Sequence, residues 1–267
     1  MNNEDASGSL GSDTAVLAPG HVWLAGAGPG DPGLLTLHAL AGLKQADVIV
    51  HDALVDQRVL ALKGALARLE FAGKRGGKPS ATQADISKRL IELARAGERV
   101  LRLKGGDPCV FGRGGEEALA LASAGVPFRV IPGVTAGLAA LAAASIPATI
   151  RDINRALIFA AGHGPDDDEF DWAPLARTAQ PLVLYMVMHN LERIADALVR
   201  GGRPPDTPAA VIVGATTSAE RILVSTLSQV AEAVRKQRFE PPAIVVVGEI
   251  VNIRERLRTL AAAARPQ

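Results

Sequence analysis

The sequence contains a single cysteine, Cys109, among 267 residues. One cysteine excludes an internal disulfide and a thiolate metal cluster. The histidines show no spacing typical of metal ligands, so we expect no bound metal. The net charge is only +1, whereas a general nucleic-acid-binding protein normally carries a basic excess. We therefore expect no nucleic-acid partner.

Long apolar runs and signal sequences are also missing. No run approaches the ~20 apolar residues of a membrane span, so we expect no membrane partner. Residues 1–20 lack the basic start and apolar centre of a signal peptide, and their Asn, Asp, Ser and Gly content predicts a disordered leader. These features favour a cytoplasmic protein. With aromatic residues at 3%, the core must consist mostly of Ala, Val, Leu and Ile.

Short apolar strands alternate with amphipathic helices, which is typical of an α/β fold. Strands are predicted at Val22–Ala25, Asp47–Val50, Arg99–Leu103, Phe128–Ile131, Ala156–Ala160, Leu182–Met186, Ala209–Val213, Arg221–Ser225 and Ala243–Val247. Helices are predicted at Thr36–Gln45, Gln83–Ala96, Glu116–Ala124, Thr135–Ala144, Asn190–Val199 and Ser228–Arg235. Ser80 and Gln83 have capping-box spacing, and Gly97 and Gly125 are suited to end helices. The pattern restarts after Pro147, which predicts a leader at 1–20, domains at 21–150 and 151–260, and a tail at 261–267.

The segment from Gly28 to Gly33 has the G-x-G-x-x-G spacing of a dinucleotide-binding loop, with Asp52 at the position of the ribose-binding acid. Such a loop binds pyrophosphate through backbone N–H groups. Pro29 and Pro32 have no N–H to donate, and both restrict φ. The sequence therefore disfavours an NAD-linked oxidoreductase, which stays as an alternative.

A second glycine-rich segment, Leu101-Arg-Leu-Lys-Gly-Gly-Asp-Pro-Cys-Val-Phe-Gly-Arg-Gly-Gly-Glu-Glu117, leaves a predicted strand directly. In an α/β sheet this position lies in the ligand crevice. Asp107 could accept hydrogen bonds there from ribose hydroxyls or an amino group. The alternative is a long mobile loop, but Arg113 and Glu116 would be unusual in a segment without function.

These segments, together with IPGVTAG, TIRD, AAGH, LYM and PPAIVVVGEIV, resemble uroporphyrinogen-III C-methyltransferases of the tetrapyrrole methylase superfamily. The resemblance covers about residues 20 to 255. It implies two α/β domains with mixed sheets flanked by helices, a homodimer, and S-adenosyl-methionine in the cleft between the domains. This cofactor has no phosphate, which fits the proline-bearing first loop. The cofactor contacts implied by the resemblance are Pro29, Gly105, Gly106, Asp107, Val110, Thr135, Ala136, Met186 and Ala215.

The implied reaction transfers methyl groups to C-2 and C-7 of uroporphyrinogen III, which gives precorrin-2 by way of precorrin-1. By resemblance, Asp52 is the proton acceptor and Lys74 the proton donor. We add Arg113 as a catalytic residue, because its guanidinium could steer substrate carboxylates and polarise the ring. Asp52 could instead be only a turn residue, and Lys74 a solvated lysine. The substrate contacts that we predict are Arg113, Glu116, Arg151, His163 and Met186.

The substrate is an octacarboxylate, so a nearly neutral protein needs a local basic lining. Candidates for that lining are Lys74, Arg75, Lys78, Lys104, Arg113, Arg151 and Arg155. The sequence departs from the family pattern at Cys109, at Ile150, where histidine is usual, at Ala143 to Ser145 and at Ala215. These departures put the fine substrate contacts in question.

Three alternatives remain besides the uroporphyrinogen-III C-methyltransferase hypothesis. The first is another methylase of the superfamily: a later corrin-ring methylase, a diphthine synthase or an rRNA ribose methylase. The second is the oxidoreductase named above, and the third is a non-catalytic anion-binding module. The sequence does not distinguish sirohaem, cobalamin and haem d1 as destinations of the product.

Overall fold

The computed structural model describes residues 15–73, 82–162 and 170–264. The chain forms two compact units that divide between Val134 and Thr135. Each unit contains one five-stranded sheet with helices packed against it, so the predicted α/β class is confirmed.

The first unit alternates strands and helices along the chain. Its elements are β1 (Val22–Gly26), α1 (Leu37–Gln45), β2 (Val48–His51), α2 (Gln57–Leu60), β3 (Arg68–Phe71), α3 (Gln83–Arg95), β4 (Val100–Lys104), α4 (Gly114–Ser123) and β5 (Phe128–Ile131). The strand order is β3-β2-β4-β1-β5, and every pair is parallel. The expectation of mixed sheets therefore does not hold for this unit. Because neighbouring strands run in the same direction, their carboxyl ends share one edge.

Helices cover both faces of this sheet, which explains the nearly continuous apolar strands. On one face, Trp23 and Leu101 pack with residues of α1 and α2. On the other face, Leu24 and Val100 pack with residues of α3 and α4. Successive side chains of a strand point to opposite faces of the sheet. Arg102 and Lys104 of β4 therefore lie on the same face as Val100, which is the face covered by α3 and α4.

Most predicted elements of the first unit are confirmed within one or two residues. Gly97 and Gly125 follow helices with φ of +84° and +67°, as the capping prediction requires. The capping box predicted at Ser80 and Gln83 was wrong, because the capping box at the start of α3 is formed by Thr82 and Asp85. Ser80 lies outside the described residues. The strand β3 and the short helix α2 were not predicted.

The second unit has a mixed sheet. Its elements are α5 (Ala136–Ala143), β6 (Ile158–Ala161), α6 (Ala173–Arg177), β7 (Leu182–Tyr185), α7 (Leu191–Arg200), β8 (Pro208–Val213), β9 (Arg221–Thr226), α8 (Val230–Gln237), β10 (Ala243–Val247) and α9 (Asn252–Ala263). The strand order is β6-β7-β10-β8-β9, with β6 and β7 parallel and the other pairs antiparallel. The helices α6 and α9 were not predicted.

The boundary between the units lies earlier than the predicted position near residue 150. The reason is α5, which packs against β7 and β10 of the second sheet. Gly137 of α5 lies so close to Tyr185 of β7 that a Cβ at 137 would be 2.2 Å from the tyrosine oxygen. The helix therefore belongs with the second unit.

The predicted leader and tail also differ from the structure where the structure describes them. Leu17, inside the predicted leader, is fully buried, and its N–H donates to Oε1 of Gln45 at 3.0 Å. Helix α9 continues to Ala263, past the predicted start of the tail. None of the helices in the described ranges combines the length and apolar character needed to cross a membrane.

Candidate functional site

Two glycine loops meet at the carboxyl edge of the first sheet. Gly28 follows β1 and Gly106 follows β4, and each donates its N–H to the other's carbonyl, at 3.1 and 2.8 Å. Ala27 also donates to the carbonyl of Lys104 at 2.7 Å. The two segments singled out in the sequence are therefore joined by their backbones.

The loop after β5 packs into the same place without any side chain between the backbones. A Cβ at Gly26 would lie 2.5 Å from the carbonyl oxygen of Gly106, and one at Gly133 would lie 2.3 Å from that oxygen. Both distances are far below a van der Waals contact, so any larger residue would push the loops apart. These two glycines are required by close packing and not by an unusual φ.

Asp107 connects the β4 loop to the β5 loop. Its Oδ1 accepts the N–H of Cys109 at 2.8 Å, and its Oδ2 accepts the N–H of Gly133 at 3.0 Å. The carboxylate is half-buried, and each oxygen retains acceptor capacity for a ligand donor. Asp107 thus shapes the site as well as being a predicted ligand contact.

The proline-bearing loop does not form a pyrophosphate cradle. The N–H of Gly28 is used by Gly106, and the N–H of Gly33 donates to Oδ1 of Asp31 at 2.8 Å. The loop continues into a single 3-10 turn at Pro32–Leu34, and α1 begins only at Leu37. These amides are not directed at an external anion, so the geometry argues against NAD and fits a phosphate-free ligand.

Asp52, the predicted proton acceptor, lies at the same edge, directly after β2. Its Oδ1 accepts the N–H of Leu54 at 3.0 Å, and its Oδ2 lies 3.4 Å from the N–H of Gly105. The carboxylate therefore both shapes a turn and contacts the glycine loop. Lys74, the predicted proton donor, lies outside the described residues.

Below the glycine loops lies a buried ion cluster, formed by Gln83, Arg102, Lys104 and Glu117. Oε1 of Glu117 accepts from Nε of Arg102 and from Nζ of Lys104, both at 3.1 Å, and from Nε2 of Gln83 at 2.9 Å. Glu117 is fully buried. Among the described residues its Oε2 has no hydrogen-bond partner. The cluster carries two cations for one carboxylate.

The cluster corrects one expectation and contains a residue that the sequence analysis missed. Lys104 was predicted in the basic lining for the substrate, but its ammonium is buried against Glu117. Burial and the nearby Arg102 lower the pKa of Lys104 below its ordinary value, against the opposing effect of Glu117. Glu117 was not singled out; its helical spacing from Leu121, which is buried, is the signal that identifies its inward face.

Arg113 and Glu116 form an exposed pair at the start of α4. Nε of Arg113 donates to Oε1 of Glu116 at 3.0 Å, and more than half of each side chain is exposed. This hydrogen bond lowers the pKa of Glu116. Arg113 has a φ of +60°, in the left-handed region that a non-glycine residue rarely adopts. The guanidinium lies at the surface, paired with the carboxylate of Glu116.

The other predicted residues of this loop differ in exposure. Val110 is half-buried and Cys109 is exposed. Although Cys109 is exposed, its thiol is partly desolvated by neighbouring atoms, and this desolvation together with the charge of Asp107 raises the pKa of Cys109. The structure therefore gives no reason to regard it as a nucleophile.

In the second unit, predicted cofactor residues lie at the edge where β7 and β8 end. Tyr185 pairs with Ile244 of β10, which in turn pairs with Ile212 of β8. Met186 and Ala215 therefore follow strand ends at the same edge. Met186 has a φ of +56° and a side chain that is 48% exposed.

Thr135 and Ala136, two of the predicted cofactor contacts, lie at the start of α5. The Thr135 hydroxyl makes no capping bond to the helix backbone. It lies 2.9 Å from the hydroxyl of Tyr185, which also accepts the N–H of Gly137 at 2.9 Å. The Tyr185 side chain, which was not among the predicted site residues, therefore fixes this helix start.

The remaining predicted substrate residues are less informative. Arg151 lies exposed in a turn, and His163 is outside the described residues. No cluster of three or more His, Cys, Asp or Glu side chains suited to a metal occurs in the described part of the chain.

Comparison with known proteins identifies the family. Residues 21–231 match the family described as Tetrapyrrole (Corrin/Porphyrin) Methylases. The chain belongs to this family.

Individual proteins are similar to this chain over most of its length. A uroporphyrinogen-III C-methyltransferase of Sinorhizobium sp is 55% identical, over 92% of this chain and 89% of the relative. Siroheme synthase 2 of Aeromonas hydrophila is 47% identical over 92% of this chain, which spans 52% of that longer protein. The crystal structure of a Thermus thermophilus uroporphyrin-III C-methyl transferase with S-adenosyl-homocysteine matches with a TM-score of 0.76 and 42% identity, covering 87% of this chain and 99% of the other.

Proposed function

We propose that this chain is an S-adenosyl-methionine-dependent methyltransferase that methylates uroporphyrinogen III at C-2 and C-7, giving precorrin-2 by way of precorrin-1. The observation that carries the proposal is the 55% identity to a uroporphyrinogen-III C-methyltransferase across nearly the full length of both chains. The backbone-locked glycine loops support it, because they are built from the same sequence segment that carried the resemblance.

The proposed cofactor contacts of the first unit are Pro29, Gly105, Gly106, Asp107 and Val110, and those of the second unit are Thr135, Ala136, Met186 and Ala215. Asp107 fits this role because its oxygens are fixed by two backbone N–H groups and can still accept from a ribose hydroxyl. The absence of a Cβ at Gly26 and Gly133 lets the three loops pack together at this edge and fixes the backbone beside Asp107. The structure with S-adenosyl-homocysteine supports the choice of cofactor.

The bound cofactor would supply an electrophilic methyl group, and the chain would position the pyrrole carbon for in-line attack. Positioning should dominate the rate enhancement. We assign Arg113 to binding and orienting a substrate carboxylate, with Glu116 as the group that the carboxylate displaces. Asp52 is the proposed acceptor of the ring proton and Lys74 the proposed donor. Arg151, His163 and Met186 complete the proposed substrate contacts.

The proposal is tested by anaerobic turnover of uroporphyrinogen III with methyl-labelled S-adenosyl-methionine, followed by mass analysis of the extracted pigment. We expect two added methyl groups.

Arg113→Lys should raise the KM for uroporphyrinogen III about tenfold, because an ammonium cannot bind a carboxylate through two parallel hydrogen bonds. Arg256→Lys, at an exposed position of α9, is the matched control and should leave the KM unchanged.

A second candidate is a methylase that acts on a later corrin intermediate. It is favoured by the match to a cobalt precorrin-4 methyltransferase, with a TM-score of 0.78 and 28% identity. Binding of S-adenosyl-homocysteine without methylation of uroporphyrinogen III would favour this candidate. The absence of both binding and turnover would contradict both candidates.

The homodimer implied by the resemblance is also a proposal. Sedimentation of the purified chain would test it, and a monomer at micromolar concentration would contradict it. The destination of precorrin-2 among sirohaem, cobalamin and haem d1 depends on the enzymes that consume it.

A further inference from the structure

The side chain of Tyr185 connects the end of β7 to the start of α5. Its hydroxyl accepts the N–H of Gly137 and shares a hydrogen bond with the hydroxyl of Thr135, each at 2.9 Å. Both side chains are buried, so water does not compete freely for these bonds. The two segments joined in this way are separated by about fifty residues of sequence.

The tyrosine hydroxyl takes over the capping of α5. The first amides of a helix have no partner within it, and threonine at the N-cap normally satisfies one of them. In this helix the Thr135 hydroxyl makes no such bond and turns to Tyr185 instead. The amide of Gly137 is satisfied by a group from another element, so the helix start is positioned by β7.

The position of the hydroxyl is tightly determined by its surroundings. A Cβ at Gly137 would lie 2.2 Å from the tyrosine oxygen, so only glycine leaves room for it. The ring of Phe159 in β6 packs edge-on against the tyrosine ring, with 5.7 Å between centroids. The ring is thereby held on one side by β6, and its hydroxyl reaches α5.

Both ends of this connection carry proposed cofactor contacts. Thr135 and Ala136 begin α5, and Met186 follows Tyr185 directly with a φ of +56°. A left-handed methionine is strained and persists only where neighbouring structure holds it. The buried tyrosine ring immediately before it is part of that structure.

We propose that Tyr185 is a positioning residue for S-adenosyl-methionine, whose hydroxyl holds Thr135 and Ala136 in register with Met186. This inference rests on the proposed cofactor site and adds a residue to it. The tyrosine side chain does not have to touch the cofactor. It acts by keeping two contacting segments at a fixed separation before the ligand binds.

The test is calorimetric titration of the full chain with S-adenosyl-homocysteine. Tyr185→Phe keeps the ring and removes the hydroxyl, and we expect about tenfold weaker binding. The KM for S-adenosyl-methionine should rise by a similar factor while the KM for uroporphyrinogen III stays the same.

Thr135→Val should also weaken binding of S-adenosyl-homocysteine. The double variant should lose less affinity than the product of the two single losses, because both changes break one network.

Val234→Ala separates positioning from general stability. Val234 is buried in the core of the same unit, in α8, and makes no part of the Tyr185 connection, so its truncation should lower Tm with little effect on binding. The inference is overturned if Tyr185→Phe binds like the wild type, or if Val234→Ala weakens binding as much as Tyr185→Phe does. If Tyr185→Phe does not fold, Thr135→Val alone decides, and binding like the wild type overturns the inference.

These outcomes differ from a failure of the proposed function. Binding of S-adenosyl-homocysteine with no methylation of uroporphyrinogen III would remove the substrate assignment and leave the Tyr185 measurement valid. A wild-type chain that does not bind S-adenosyl-homocysteine would overturn both.

Discussion

The loops at the ends of the two sheets are held by different chemistry. In the first unit, Gly28 and Gly106 are joined backbone to backbone, Asp107 bridges two loops, and a buried ion cluster lies on the adjoining helical face. In the second unit, two neutral hydroxyls, of Thr135 and Tyr185, connect a helix start to a strand end. The first arrangement is constrained by side-chain size and by charge, whereas the second depends on one hydrogen-bonded hydroxyl.

This difference predicts how each unit responds to substitution and to pH. A buried ion that loses its partner keeps its full desolvation cost, whereas a neutral group that loses a hydrogen bond costs much less. Charged groups with shifted pKa values also make stability depend on pH. The second unit's hydroxyl pair is neutral near pH 7 and should not contribute such a dependence.

The largest effect is expected from Glu117→Gln. The substitution keeps the size of the side chain but leaves Arg102 and Lys104 as two buried cations without a carboxylate. Breaking a buried ion pair in this way should lower the free energy of unfolding by about 3–5 kcal/mol, measured by urea denaturation.

The neighbouring glutamate provides the control. Glu116→Gln removes an exposed partner of Arg113, so its effect should stay within about 0.5 kcal/mol. Equal losses for Glu116→Gln and Glu117→Gln would contradict the contrast between a buried and an exposed ion pair.

The next effect is expected from Gly133→Ala. Its Cβ would meet the carbonyl oxygen of Gly106, which cannot move without breaking the bridge to Gly28. Overpacking should cost about 1–3 kcal/mol, and binding of S-adenosyl-homocysteine should weaken strongly because the loop after β4 is displaced. Thermal unfolding and calorimetric titration measure the two effects.

Gly115→Ala is the matched control for this change. A Cβ at Gly115, in α4, meets no atom within 4 Å, and alanine favours the helix. Unchanged or slightly higher stability is expected. A folded Gly133→Ala variant that binds like the wild type would show that the close contact of the loops is not needed for the site.

A smaller effect is expected from Tyr185→Phe on stability. The change leaves the Gly137 N–H without its acceptor and should lower the free energy of unfolding by about 1–2 kcal/mol. Because the lost groups are neutral, the loss should be the same at pH 6 and pH 8. A loss that changed between these pH values would mean that a titrating group is coupled to the hydroxyl pair.

Much of the fold could be predicted from sequence because both sheets bury their central strands. Apolar runs such as Val48–His51 and Ala243–Val247 report that burial directly. The edge strand Arg68–Phe71 was missed because its side chains are mixed in polarity and none is fully buried. The position of α5 was misassigned because the contact that decides it, between Gly137 and Tyr185, joins distant parts of the chain.

The candidate site was predictable in its residue types but not in its contacts. Spacing identified the glycines, but it could not show that Gly26 and Gly133 both face the carbonyl of Gly106. Glu116 and Glu117 are adjacent in the sequence, which does not show that they differ in exposure. In the first turn of α4, Glu117 faces the core and Glu116 faces solvent. Lys104 looked like a solvent-facing cation because local sequence does not show which face of β4 is covered by helices.

The smallest effect at neutral pH is expected from Lys104→Met. This substitution tests most directly whether the charges of the buried ion cluster make the stability of the first unit depend on pH. Lys104 is the surplus cation, so its removal leaves the Arg102–Glu117 pair balanced, and stability at pH 7 should be unchanged or higher. Burial lowers the pKa of Lys104 below 10.5 in the folded chain. Between that lowered pKa and the ordinary value, the unfolded chain binds a proton that the folded chain has released. Wild-type stability therefore rises with pH in this window relative to the variant. Urea denaturation of both proteins from pH 7 to pH 10 measures the difference, and a difference independent of pH would contradict a charged, buried Lys104.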